Sequence, residues 1–187
     1  MEYSTQGQTA SGRYAQLQSA RSTFDREAKE SSKLTIPSLI PESTTGTRAK
    51  IKTPFQAVGA RGVNSLASKL LFALLPPSTA FFKLSIDSLE LLKQGQEGLE
   101  TEIDKGLRTI ETALMNEIEI SNDRVAMFEA LKHLIVGGNV LLYLTDDGLK
   151  VYPLSKFVCK RDAVGNVLEI ITQESVSPKA LSPEFLE

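Results

Sequence analysis

Two adjacent glycines, Gly137 and Gly138, divide this sequence into a part patterned mainly for helices and a part patterned for strands. Upstream of them, Leu99, Ile103, Leu107, Ile110, Leu114 and Ile118 recur at three- and four-residue steps. That period predicts an amphipathic helix from Leu99 to Ile120. Ser121-Asn122-Asp123 ends it and supplies caps for a second helix, Arg124 to Val136. Val125, Phe128, Leu131, Leu134 and Ile135 are its expected core face. The glycine pair is a strong C-terminal stop, because glycine enters the left-handed conformation without a Cβ penalty. Beyond it, Asn139 to Thr145 is nearly all apolar and reads as a strand buried on both faces. Asp146-Asp147-Gly148 is a hairpin turn, and Lys150 to Leu154 returns. Lys156 to Arg161 and Val167 to Ser175 form a second hairpin across Ala163-Val164-Gly165-Asn166.

The N-terminal half is read in the same way. Residues 1–12 are rich in Ser, Thr, Gln and Gly and are expected to be disordered. A helix is predicted from Arg13 to Lys33, with Tyr14, Leu17, Phe24 and Ala28 along one side. Residues 34–53 read as an extended connector, because Ile36-Pro37 and Ile40-Pro41 disfavour helix before each proline. Thr53-Pro54-Phe55-Gln56 is a helix start, with Thr53 capping, Pro54 in the first turn and Gln56 reaching back. That helix runs to Leu75, and Pro76-Pro77 stops it. Its Gly59, Ala60 and Gly62 favour close approach of another backbone. Ala80 to Ile86 alternates as a strand, and a short helix is expected over Asp87 to Lys93.

Charge is unevenly distributed. Residues 1–75 hold ten Lys/Arg and five Asp/Glu, a balance of +5, whereas residues 76–187 hold 11 and 18, a balance of -7. No acid occurs from Ser43 to Ile86. Arg48, Lys50, Lys52 and Arg61 in this stretch are the candidate DNA- or subunit-facing residues. Aromatic residues are only 6% and Trp is absent, so stacking of bases on an aromatic row is not an evident mode of action. The longest compact apolar run, Leu70 to Leu75, is far below the roughly 20 residues that span a bilayer. The first ten residues lack a hydrophobic signal region, so no membrane partner is expected.

Catalytic signals are weak. His133 is the single histidine and sits in a mainly apolar helix, where a structural role is expected. Cys159 is the single cysteine, which excludes an internal disulfide and a cysteine-based zinc site. It reads as a small buried filler in a strand. There is no Walker A loop, GxGxxG or HExxH. Asp146-Asp147-Gly148 resembles the start of a calcium loop without its downstream ligands. Glu100, Glu102 and Asp104 open a helix, where its dipole favours them. No catalytic, cofactor or metal residue is expected.

Four stretches carry a family resemblance. They are residues 35–41 (TIPSLIP), 53–70 (TPFQAVGARGVNSLASKL), 128–144 (FEALKHLIVGGNVLLYL) and 161–168 (RDAVGNVL). In that order they resemble the portal, or head-to-tail connector, proteins of short-tailed podoviruses of the autographivirus type. The resemblance covers most of residues 13–175. It implies an α+β fold of the portal wing region, in which several amphipathic helices pack on a small, mostly antiparallel sheet. It divides the chain into a disordered 1–12, an N-terminal helix and connector over 13–53, and a wing-type domain over 54–187. The stem, clip and crown of the family are expected further along and lie outside this chain.

The resemblance also implies a role. Family members form a ring, usually of twelve subunits, at one capsid vertex, through which the genome is packaged and ejected. Implied partners are further copies of the chain, major capsid and scaffolding proteins, the terminase large subunit, tail adaptors and double-stranded DNA in the channel. The implied location is the virion, after assembly in the host cytoplasm. The ATPase belongs to the terminase, so the chain is expected to be structural and not an enzyme. Two rivals remain at this stage: a nucleic-acid-binding module using Arg48 to Arg61, and a small hydrolase built around His133 or Cys159.

Overall fold

The computed structural model describes residues 9–41, 54–77, 79–85, 99–146 and 148–177, with 99 and 100 described by backbone alone. Helix α1 spans Ala10–Ala20 and begins inside the stretch expected to be disordered. Thr9 explains the early start, because its Oγ1 accepts the Gly12 N–H at 3.2 Å. Helix α2 spans Ser22–Leu34. The expected single helix from Arg13 to Lys33 is thus broken at Arg21, whose backbone leaves helical geometry at φ -97°, ψ 4°.

The described part of the connector is a turn and not an extended run. Leu39 N–H donates to the Ile36 carbonyl at 3.0 Å. Ser32, fully buried, pins this turn: its hydroxyl donates to the Ile36 carbonyl at 2.8 Å and accepts the Ile40 N–H at 3.1 Å. That places Ile40 in a core cluster with Ala28, Tyr152, Leu154 and Phe157.

Helix α3 spans Val58–Leu74. It starts later than expected, after Ala57, and no side chain caps it there, so Pro54 and Gln56 fall outside the helix they were expected to open. Thr53 lies outside the described residues. The position of α3 is set by docking: a Cβ on Gly59 would lie 2.6 Å from the Leu34 carbonyl oxygen at the end of α2. Gly62 has open space around it and permits no such approach. Arg124 closes the other end of α3, donating to the Leu75 carbonyl at 2.7 Å and the Pro76 carbonyl at 3.2 Å.

Residues 80–85 form no strand. The Leu84 N–H, which a strand would give to a neighbour, donates instead to the Glu111 carboxylate at 2.6 Å. Ile86 and the helix expected over 87–93 lie outside the described residues. Helix α4 spans Leu99–Ile120 and helix α5 spans Asp123–Gly137, both close to the expected bounds, but Val125 and Leu134 of the expected α5 core face are exposed while Ala130, His133 and Val136 are buried. Gly138 caps α5 at φ 70°, and its N–H donates to the Leu134 carbonyl at 2.9 Å. Helices α2, α3 and α4 each pack on α5, as does the first hairpin.

That hairpin joins β1, Leu141–Thr145, to β2, Gly148–Tyr152, with Thr145 facing Gly148 across a two-residue loop. Gly148, the first residue of β2, adopts φ 115°, a conformation that favours glycine. A short 3-10 turn, Leu154–Lys156, leads to β3, Phe157–Arg161, which pairs antiparallel with β4, Val167–Thr172. The strands form two separate two-stranded sheets, not the single small sheet expected. β1 is also not buried on both faces: Tyr143 is 58% and Leu144 72% exposed. The architecture remains α+β, with α1, α2 and α5 laid against the hairpins.

Candidate functional site

Three arginines and their acceptors organise the described residues. Arg13 reaches across to Glu169 of β4, with Nε and Nη2 donating to Oε2 at 3.0 and 2.9 Å. The Tyr14 hydroxyl donates to the Ser155 carbonyl at 3.2 Å. Burial pushes that phenol above its ordinary value, against the opposing pull of Arg21. Arg21 donates to the Leu154 and Phe157 carbonyls at 2.9 Å each, and its guanidinium lies 5.8 Å from the Phe157 ring centre. Its Nε stands 2.8 Å from Asp25 Oδ1, an ion pair that lacks hydrogen-bond alignment. The broken helix α1–α2 is therefore latched onto the strand end of the molecule by its own break point. A cleft of about 300 Å3 opens beside this latch, lined by Gln18, Asp25, Lys29, Ile40 and Lys156.

Both hairpin turns are held by carboxylates. Asp123, expected to cap α5, instead accepts the Leu149 N–H at 2.8 Å and so ties the start of α5 to β2. Asp162 accepts the Val164 and Asn166 N–H groups at 3.0 and 2.7 Å, and the Asn166 side chain at 2.9 Å. These bonds, the Asn166 side chain foremost, hold its carboxyl below the ordinary carboxylate range. Glu174 accepts from Lys150 at 2.7 Å and from the Tyr152 hydroxyl, and the Lys150 ammonium chiefly keeps it ionised.

The catalytic candidates do not build a site. His133 is buried in α5, its Nε2 3.8 Å from Glu129 and its Nδ1 without a hydrogen-bond partner. Burial lowers its pKa below the ordinary value. Cys159 is half-buried on β3, less enclosed than the expected filler. Among the described residues no group of three or more His, Cys, Asp or Glu is placed to hold a metal.

The basic candidates are not brought together among the described residues. Arg48, Lys50 and Lys52 lie outside them. Arg61 is exposed on α3, on a face shared with Lys69, Val58 and Phe72. Large apolar residues are exposed on several elements besides this one, including Ile110 and Leu114 of α4 and Leu144 of β1. Sequence reasoning missed the latch at Arg21 and the two carbonyls bound by Arg124. An Arg–Asp pair at i, i+4 was a visible signal for Arg21, but it does not point to distant backbone acceptors.

Residues 7–187 match the family described as bacteriophage head to tail connecting protein. The chain is 42% identical over 180 residues to the portal protein of Escherichia phage T7, covering 92% of this chain and 33% of that protein. It is 42% identical over 179 residues to the portal protein of Enterobacteria phage T3, with the same coverage. It is 30% identical over 193 residues to the portal protein of Enterobacteria phage SP6, covering 98% of this chain and 36% of that protein. The chain spans about a third of the length of these relatives.

Proposed function

The chain belongs to the bacteriophage head-to-tail connecting protein family, and from that premise we propose that it is the wing part of a portal-ring subunit. The ring stands at one capsid vertex, forms the channel for genome packaging and ejection, and joins head to tail. Its role is architectural and no reaction is assigned to it. The observation that carries this reading is a family match running unbroken from residue 7 to residue 187.

The physical features agree with such a role. Polar anchoring at Arg13, Arg21 and Arg124 gives a stiff body, while apolar side chains remain on the outside of α3, α4 and β1. A surface of that kind suits repeated contacts between copies. Twelve copies form the ring. Capsid, scaffolding, terminase and tail adaptor proteins are its partners, and double-stranded DNA is its cargo. Arg48, Lys50, Lys52 and Arg61 face a neighbouring copy's acidic surface in preference to DNA, because a sliding polymer is hindered by tight contacts. Any attraction to DNA is diffuse and sensitive to salt. Assembly takes place in the host cytoplasm and the product resides in the virion.

Electron microscopy of the natural polypeptide that carries this sequence tests the proposal. Rings with a central hole are expected. A population of single globules at micromolar concentration would overturn it.

A further inference from the structure

We propose that the cleft beside the Arg21 latch is an anion site, which holds a phosphate group between Lys29 of α2 and Lys156 of the 3-10 turn. The site is independent of the ring reading above.

The cleft lies where three parts of the chain meet. Asp25 and Lys29 come from α2, Ser155 and Lys156 from the turn before β3, and Gln173 and Ser175 from the segment after β4. Ile40 and Leu154, both members of the core cluster, form its apolar part. The backbone that carries these groups is fixed. The Lys156 N–H donates to the Pro153 carbonyl and the Lys156 carbonyl accepts the Gln173 N–H, both at 2.8 Å. The Ser155 carbonyl accepts the Tyr14 hydroxyl at 3.2 Å. Lys29 stands on the helix that Arg21 latches to the same turn. A ligand therefore meets a frame that is already built, which lowers the ordering cost of binding.

Charge accounting makes the cleft a site for an anion. Both acids beside it are already engaged. Asp25 is one turn before Lys29 on α2, but its carboxylate is paired with Arg21 Nε at 2.8 Å. Glu174, between the lining residues Gln173 and Ser175, turns to the first hairpin and accepts from Lys150 at 2.7 Å and from the Tyr152 hydroxyl. Lys29 and Lys156 are both half-buried, and among the described residues neither has an ion pair or a side-chain hydrogen bond. Two partly desolvated ammonium groups without a counter-charge favour an anion between them. The Ser155 and Ser175 hydroxyls and the Gln18 and Gln173 amides line the same space and add donors. Arg21, the guanidinium beside the cleft, is spent on two carbonyls, so no planar fork remains for a carboxylate. Point charges and hydroxyls set around a cleft suit the several acceptor directions of a phosphate.

The test titrates the natural polypeptide with inorganic phosphate in a calorimeter at constant ionic strength, which holds general screening fixed. Saturable binding with a dissociation constant of about 1 mM is expected. Lys29→Gln and Lys156→Gln should each raise that constant about tenfold, and Lys69→Gln, an exposed lysine of α3, should leave it unchanged. Phosphate should also raise the urea midpoint of the unaltered protein and not those of the two cleft variants. Without phosphate the variants should unfold no earlier than the unaltered protein, because each removes a charge that has no partner. A short DNA duplex that displaces phosphate assigns the site to a nucleic-acid backbone, and one that does not assigns it to a free phosphate group; either result supports the site. Absence of saturable binding well above the expected constant would overturn it, as would equal binding by the two cleft variants. Glu42 follows the lining residue Pro41 in sequence, so Glu42→Gln is titrated as well. Binding that appears only in that variant would show that the chain's own carboxylate fills the cleft, and would also overturn the proposal.

Discussion

Arg21 shows how much one side chain can decide. Its guanidinium satisfies two carbonyls on the strand side while its backbone interrupts the helix that carries it. Arg21→Ala would leave both part-buried carbonyls unpartnered and strip a cation from the Phe157 ring. A loss of about 2–3 kcal/mol of unfolding free energy is expected in urea titrations. His133 makes a prediction of a different kind. Burial favours its neutral imidazole, so the folded chain resists a proton that the unfolded chain accepts below the ordinary value of 6.5. Stability therefore falls as pH drops through 6.5 and levels off below the lower folded value. His133→Leu should flatten that slope between pH 7 and pH 5 in unfolding titrations at a series of pH values. The burial of His133 was legible from its place in an apolar helix. The reach of Arg21 was not, because its acceptors lie 133 and 136 residues away in sequence.

At the scale of elements, local period and turn chemistry read well where they were strong. The α4 helix and the Gly138 cap formed where the sequence placed them, and the first hairpin turns within the expected stretch, although Gly148, expected in the turn, already belongs to β2. The start of α3 did not: the helix begins at Val58 without a side-chain cap, and its first turn lies against the end of α2 at Gly59. Two glycines in that helix separate the effects. Gly59→Ala would drive a Cβ into the Leu34 carbonyl and should cost about 1–3 kcal/mol. Gly62→Ala meets no atom within 4 Å and should stabilise α3 by about 0.5–1 kcal/mol through helix propensity. Urea midpoints of the two variants should therefore move in opposite directions. Residues 80–85 alternate like a strand, yet pair with Glu111 of α4. Alternation reports a chain that can be extended, and it does not supply a neighbouring strand.

For the whole molecule, the surface is as informative as the core. The split between a basic first part and an acidic remainder reappears as a basic face on α3 and an acidic flank on α4. Charges of this kind are screened within about 10 Å at 0.1 M salt. Leu144 and Tyr143 are exposed although their strand is nearly all apolar. An all-apolar strand announces that both its faces will be covered, but not that the cover belongs to the same chain.

The sequence by itself determined which segments are helical, where the hairpins turn, and through its quoted motifs the family. These depend on contacts a few residues apart, which composition and period encode directly. Only the tertiary structure decided where α3 begins, that the strands form two sheets, and which arginines bind distant carbonyls. Those outcomes depend on groups that chain folding brings together from far apart, and no local pattern specifies such meetings.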